Sequence, residues 1–437
     1  MQRRALMQAA LAMASAGSAR AAPSPKASTA STAPTASTAP TATLACPAIS
    51  AQGHVHLIGN SFPALQHIAR VTERCARPGL KVAFKLTPQA RTETEQAFAS
   101  AGVSPFDAAV VSMGVFSNLY SRRELFDMTA LVEKYAARYH IEERMLVRVD
   151  GQVMAIAFMQ NTQNLYYRQD LFERHRLAVP STYAEMLSVA AQLRSLQSDL
   201  PAPVAQCFGK GFDIATEFTN VLASLGGRYF EPGSAAPAFH GPLGVQAVET
   251  LRSVLPFLSP NALASNADDV MNQLQQGRAA MGVLWASRAS RMDDPLASKV
   301  VGKMAFAAAP AARAGGPSAA HLWWDGVVMP RRSAAPRDAV FQVLMEGLSE
   351  ASVKEGNELA IWVRSSYQPG RFGTGVAAAQ KAGAPAWPGE PFFALAHAEV
   401  GKALPDAMAG ERSAQAVLAG AATAYARVAR EKGFVNA

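Results

Sequence analysis

Short apolar segments alternate with amphipathic segments over most of this chain, and this alternation constrains the fold more than any other feature. The apolar segments have the residue types of buried strands and lie at residues 54–58, 82–86, 108–111 and 153–158. Between the first two, Leu65, Ile68 and Val71 recur with the period of a helix and share one of its faces. Parallel sheets covered by helices have this pattern. We therefore predict an α/β fold.

The composition is that of a globular protein. Of the 437 residues, 49% are hydrophobic and 17% are charged, which excludes a multi-span membrane protein and indicates roughly two to three domains. The net charge of +8 is scattered, and the densest basic groups, Arg122 with Arg123 and Arg331 with Arg332, are pairs without interleaved aromatic residues. Nucleic-acid-binding surfaces need a denser basic patch, so we expect no nucleic-acid partner.

The first 21 residues have the layout of an export signal peptide. Arg3 and Arg4 precede the apolar run Ala5–Ala16, and Ala19-Arg20-Ala21 has the small-x-small pattern of a cleavage site. The run is shorter than the ~20 residues that cross a bilayer, which favours cleavage over retention as an anchor. The adjacent arginines fit the twin-arginine route as well as the general secretory (Sec) route. We expect a periplasmic or extracellular protein.

Residues 22–50 are a predicted disordered linker. They consist largely of Ala, Ser, Thr and Pro, and the sequence STAPTA of Ser31–Ala36 is repeated at Ser37–Ala42. Such a composition has almost no apolar surface to bury.

The three cysteines leave two interpretations open. Cys46 precedes the first strand and Cys75 follows the first helix, so these two could meet in a disulfide bond while Cys207 remains a buried apolar residue. The alternative is three unpaired thiols.

The most informative segment runs from Asn161 to Met186. Leu165–Tyr167 suits a strand, and Thr182 with Glu185 has the spacing of a capping box that begins a helix. The run LYYRQDLFERHRLAVPSTYAEM within this segment resembles the signature of the extracellular solute-binding proteins of ABC importers. It is most similar to the sugar-binding group to which maltose-binding protein belongs.

Three further motifs resemble this family in the expected order. They are LASLGGRYF at Leu222–Phe230, LQQGRAAMGVLW at Leu274–Trp285 and HLWWDGVVMP at His321–Pro330. The resemblance extends over residues 51–437.

The resemblance implies a type II periplasmic binding protein fold, with two α/β lobes, a ligand cleft between them and three hinge crossings. In this chain lobe one would comprise 51–159 and 312–360, and lobe two 160–311 and 361–437. The crossings would lie near Met159–Asn161, Ala308–Arg313 and Ile361–Ser365.

The same resemblance implies a function. The protein would capture a small solute, a sugar or related polyol, by lobe closure and deliver it to the membrane permease subunits of an ABC transporter. It would act as a monomer, without a cofactor and without catalysis. The alternative is an exported metallohydrolase, because His54 and His56 lie on one face of the first strand and could ligate zinc.

A sugar cleft needs aromatic rings for the apolar faces of the sugar and amides or carboxylates for its hydroxyls. Trp285 occupies the position where the family places a stacking tryptophan, although a core tryptophan is the alternative. Trp323 and Trp324 are adjacent, so one should face the ligand and the other pack inward. We favour Trp324, because Asp325 and Gly326 beside it suggest the tip of a loop.

Polar ligand-binding candidates follow predicted strands or lie at crossings. Asn161 occupies the first crossing, and Asp213 lies near the start of a helix in lobe two, where a solvated acid is the simpler interpretation. The full set of predicted ligand-binding residues is Asn60, Ser61, Ser112, Met113, Asn161, Asp213, Trp285, Trp324 and Asp325.

Overall fold

The computed structural model describes residues 49, 52–197, 199–390 and 392–434. The predicted signal peptide lies outside the described residues, and so does the predicted linker except for Ile49. Ile49 is fully buried and belongs to the same hydrophobic core as Val55 and Leu57. The end of the predicted linker is therefore wrong, because Ile49 already belongs to the folded body.

The chain folds into strands and helices that alternate over most of its length. The strands are β1 (Gly53–Gly59), β2 (Leu80–Leu86), β3 (Ala108–Ser112), β4 (Leu146–Val149), β5 (Gln152–Asn161), β6 (Gln163–Arg168), β7 (Val204–Ala205), β8 (Met281–Trp285), β9 (Met304–Ala308), β10 (Trp323–Val328) and β11 (Ile361–Trp362). The helices are α1 (Pro63–Glu73), α2 (Ala90–Phe98), α3 (Met113–Ser121), α4 (Thr129–Tyr139), α5 (Gln169–His175), α6 (Tyr183–Leu196), α7 (Phe212–Ser224), α8 (Pro242–Val254), α9 (Ala267–Gln275), α10 (Arg337–Gly347), α11 (Glu350–Glu355), α12 (Thr374–Lys381), α13 (Phe393–Met408) and α14 (Ala414–Glu431). The five predicted strands correspond to β1, β2, β3, β5 and β6, and their existence is confirmed.

The larger sheet has seven strands in the order β11-β5-β10-β3-β1-β2, with β4 beside β5. β1 pairs in parallel with β2 and β3, whereas β10 pairs antiparallel with both β3 and β5. β4 and β5 form a hairpin whose turn residues, Asp150 and Gly151, both have positive φ, as two-residue hairpin turns require. The sheet is therefore mixed, with parallel and antiparallel pairs side by side.

The smaller sheet has four strands in the order β7-β8-β6-β9. The capping box at the start of α6 is confirmed, since the Glu185 N–H donates to Thr182 Oγ1 (3.2 Å) and the Thr182 N–H donates to Glu185 Oε2 (3.2 Å). These two hydrogen bonds satisfy backbone N–H groups at the start of α6.

The chain passes from one sheet to the other three times. Thr162 alone separates β5 of the larger sheet from β6 of the smaller one, and the later passages lie between β9 and β10 and between β11 and α12. Ile361 and Trp362 pair with Gln160 and Met159, so these two residues extend the larger sheet. The predicted start of lobe two at residue 361 is therefore too early.

The cysteines differ in state. Cys75 is disulfide-bonded, and Cys207 is a free thiol, fully buried beside the smaller sheet. The alternative of three unpaired thiols is therefore wrong, while Cys46, the predicted partner of Cys75, lies outside the described residues. In the described part of the chain, no helix is both long and apolar enough to cross a membrane.

Candidate functional site

A cavity of about 620 Å³ lies between the two sheets and is lined from both. The larger sheet contributes Ser112 at the end of β3, together with Trp323 and Asp325 on β10. The smaller sheet contributes Trp285 at the end of β8. Residues of α2, α3, α7 and α13 also line the cavity.

The alternation of side chains along β10 decides which tryptophan faces the cavity. Successive side chains of a strand point to opposite faces, so Trp323 and Asp325 share the cavity side. Trp324 points the other way and packs against Phe116, with ring centroids 5.2 Å apart. Trp324 is 4% exposed, and its assignment as the ligand-facing tryptophan was wrong. The cavity side belongs to Trp323.

The backbone of β10 changes register with β5 directly after Asp325. Gly326 makes this possible, since a Cβ atom there would lie 2.9 Å from the Ile156 carbonyl oxygen. Bulges of this kind often re-aim side chains beside binding sites.

Aromatic rings form one wall of the cavity. The rings of Trp323 and Trp387 lie 3.9 Å apart at 32°, and Trp285 meets Trp323 at 5.4 Å and 82°. Phe212 lies 6.2 Å from Trp323 and is 41% exposed. Trp285 is partly exposed as well. These two rings, Trp285 and Phe212, therefore provide most of the aromatic surface that a ligand in the cavity can reach.

A buried polar chain supports this wall from behind. His321 contacts the Trp387 ring at 5.2 Å, and its Nδ1 is hydrogen-bonded to Asn220 Oδ1 at 2.7 Å. Burial lowers the pKa of His321 to about 3, so the ring is neutral. The chain continues through Gln163 to Glu217, whose Oε1 accepts from Gln163 Nε2 at 2.8 Å. Burial raises the pKa of Glu217 to about 8, and this carboxyl group does not line the cavity.

Asp325 is the most unusual polar group in the cavity. Burial raises the pKa of its carboxyl group to about 7. Within the described residues, its side chain makes no hydrogen bond or ion pair. An unpartnered carboxylate that faces a cavity is available to a ligand.

Asn161 connects the first passage between the sheets to the turn after β8. Its Oδ1 accepts from the Thr162 N–H (3.1 Å) and the Ser287 N–H (3.2 Å), while Nδ2 donates to Ser287 Oγ (3.3 Å). Asn161 lines the cavity, but its amide is largely engaged by the protein itself.

Three cations line the cavity, and each has its own carboxylate. Arg288 pairs with Asp268 at 3.2 Å, Arg91 with Glu95 at 3.5 Å and Lys402 with Glu399 at 2.6 Å. Arg91, from the larger-sheet side, also lies over the ring of Phe212, from the smaller-sheet side, at 5.7 Å from its centroid.

The remaining predicted site residues divide into two groups. Asn60 and Ser112 line the cavity. Ser61, Met113 and Asp213 do not line the cavity, so their assignment as ligand-binding residues is corrected. Ser61 starts the turn into α1, with its N–H bonded to Asn60 Oδ1 at 2.7 Å, and Met113 is buried in the core.

Asp213 does not line the cavity. Burial and the nearby charges of Asp268 and Asp269 raise the pKa of Asp213 to about 6. It belongs to an acidic region behind the cavity wall, near the start of α9.

Sequence reasoning missed Trp387, Phe212, Arg91 and Arg288. Trp387 lies in an irregular Pro- and Gly-containing segment with no periodicity to mark it. Phe212 follows Gly211, whose φ of 96° turns the chain into α7. For Phe212, the only signal in the sequence is a glycine followed by an aromatic residue just before a helix.

The histidine pair considered for metal binding lies outside this cavity. The rings of His54 and His56 are 5.8 Å apart. In the described ranges, no group of three or more His, Cys, Asp or Glu side chains is arranged to hold a metal ion. The metallohydrolase hypothesis therefore has no support.

Comparison with known families identifies the class. Residues 73–354 match the family model of the bacterial extracellular solute-binding proteins. The matched range covers more than half of the chain and includes Ser112, Asn161, Trp285, Trp323 and Asp325.

A relative from Deinococcus radiodurans, described as a probable ABC transporter-binding protein, is 25% identical over 198 residues. The similar stretch spans 44% of this chain and 46% of the relative. The similarity thus covers about half the length of that protein.

Two solved structures have the same fold. An ABC transporter solute-binding protein from Agrobacterium radiobacter K84, in complex with ribitol, has a TM-score of 0.72 at 20% identity and covers 86% of this chain and 98% of its own. The maltose-bound MalE3 of T. maritima has a TM-score of 0.74 at 16% identity, with coverage of 86% and 99%. These likenesses confirm the predicted periplasmic binding protein fold.

Proposed function

Because this chain belongs to the family of bacterial extracellular solute-binding proteins, we propose that it is the solute-capturing subunit of an ABC importer. Its ligand is a polyhydroxylated solute, a sugar or a polyol. One observation carries the proposal: the cavity between the two sheets combines an aromatic wall with an unpartnered carboxylate. Ribitol and maltose in the two similar structures belong to the same chemical class.

The cavity offers a sugar or polyol both kinds of contact that it needs. Trp285 and Phe212 can cover C–H faces, which aromatic rings bind by burying apolar surface. Asp325, Asn60 and Ser112 can satisfy hydroxyl groups, each of which would cost about 1–3 kcal/mol if buried without a partner.

Lobe closure follows from where the lining residues lie. Trp285 and Trp323 belong to different sheets, and a solute that contacts both brings the two sides together. The Arg91–Phe212 contact already joins the two sides of the cavity. The hydrogen bond from the Ser287 N–H to Asn161 Oδ1 lies next to Thr162, the one-residue connection between the two sheets. We propose the three passages between the sheets as the hinges, in line with the two-lobed division expected from the sequence.

The partners and location follow from the same class. The protein acts outside the cytoplasm as a monomer and delivers its solute to the permease subunits in the membrane. The predicted export signal, by the Sec or twin-arginine route, supports this location. No cofactor and no reaction are part of the proposal.

A binding and scattering experiment tests the proposal. The mature chain is screened by thermal shift against monosaccharides, disaccharides and polyols, where a ligand at 100 times its Kd adds about 2.7 kcal/mol of stability. A hit should reduce the radius of gyration in solution scattering and be recovered chemically unchanged. Absence of any hit, or conversion of the solute into a product, would contradict the proposal.

A further inference from the structure

The charges that line the cavity are unevenly balanced. Arg91, Arg288 and Lys402 are each paired with a carboxylate of the protein. Asp325 on β10 and Glu390 at the exposed rim have no such partner among the described residues. The nearby imidazoles do not compensate, since burial lowers the pKa of His397 and of His321 to about 3. The cavity therefore contains carboxyl groups that no cation of the described residues pairs with.

The aromatic wall beside Asp325 also favours a cation. Trp323 lies on the same side of β10 two residues away, and Trp285 stands at 82° to it, so the two rings form a corner. Aromatic rings attract cations through the negative potential of their faces. One ring of this wall already holds a cation, because the Arg91 guanidinium lies over Phe212.

We propose that the solute is a polyol or sugar that carries a protonated amine, with its ammonium group bound between the Asp325 carboxylate and the Trp285–Trp323 corner. Hydroxyl groups of the same molecule then face Asn60 and Ser112. This inference rests on the proposed function and narrows its ligand to the cationic members of the class. Acidic and zwitterionic solutes are disfavoured, because every cation that lines the cavity in the described chain is already paired.

Matched pairs of solutes test the inference by isothermal titration calorimetry at pH 7.5. The pairs are N-methyl-D-glucamine with D-glucitol, D-glucosamine with D-glucose, and D-galactosamine with D-galactose. In at least one pair, the amine should bind at least 10-fold more tightly than its neutral counterpart. Asp325→Asn should remove this preference, because it should weaken binding of the amine at least 10-fold more than binding of its neutral counterpart. Glu411→Gln, which removes an exposed carboxylate outside the cavity, should preserve the preference.

The outcomes separate this inference from the proposed function. If neutral members bind as tightly as their amines, or if Asp325→Asn weakens both members equally, the inference is wrong while solute binding stands. If no pair and no solute of the broader sugar and polyol screen binds, both are wrong.

Discussion

Replacing Asp325 with Asn should stabilise the unliganded protein at alkaline pH and change its stability only slightly near pH 4. The carboxyl group has an ordinary pKa of 3.8, which burial raises to about 7 in the folded state. The folded protein therefore holds a proton that the unfolded chain has lost between these values. As a result, the wild-type protein loses stability as the pH rises from about 4 to 7.

The magnitude follows from the size of the pKa change. At about 1.4 kcal/mol per pKa unit, the ionised carboxylate costs the folded state about 4 kcal/mol. Because the cavity opens to water, which screens the charge, we expect a measurable gain of about 2 kcal/mol for Asp325→Asn at pH 8. An asparagine side chain is neutral at every pH, so the gain should shrink to at most about 0.5 kcal/mol at pH 4, where the folded carboxyl group is protonated and the unfolded one, with its ordinary pKa of 3.8, is partly protonated.

Urea unfolding of the wild-type and variant proteins at pH 4 and pH 8, without solute, measures this difference. Asp338→Asn is the matched control of opposite sign, because its hydrogen bond from Lys134 lowers the pKa of Asp338. Asp338→Asn should be less stable than the wild type at pH 8 and equally stable at low pH. The reasoning is refuted if Asp325→Asn is no more stable than the wild type at pH 8, or if it gains equally at both pH values.

Three further predictions concern other parts of the chain. Trp285→Ala should weaken solute binding by about 1–3 kcal/mol in calorimetry with little effect on the melting temperature, and a drop of many degrees would instead place this ring in the core. Trp324→Ala should lower the free energy of unfolding by about 3–5 kcal/mol, since it empties a buried site, and unchanged stability in urea would contradict the packing described. Deletion of residues 22–45 should leave the melting curve unchanged, whereas Ile49→Ala should lower the melting temperature because it empties a buried site. A melting curve of Ile49→Ala equal to that of the wild type would show that Ile49 does not contribute to the core.

The sequence determined the local elements and the class of protein. Strand positions, the Thr182–Glu185 capping box and the family motifs all depend on residues close together in the chain, so they can be recognised without coordinates. The Asp-Gly pair of the hairpin turn at Asp150-Gly151 is a local signal of the same kind. No local motif indicates that β10 runs antiparallel to its neighbours, because strand pairing joins segments that are far apart in sequence.

The candidate site was decided mostly by tertiary structure. Trp323 and Trp324 are neighbours in sequence, and only the pairing of β10 with β3 and β5 determines which of them faces the cavity. Trp387 reaches the cavity from an irregular segment, packed on a tryptophan more than sixty residues away in sequence.

The state of each charge was likewise beyond the sequence. Asp213 and Asp325 are the same residue type, yet one borders other acids behind the cavity wall and the other faces the cavity without a partner. A sequence shows which side chains can ionise. Which of them are desolvated, paired or left for a ligand depends on distances between remote segments, and these exist only after the sheets and helices have packed.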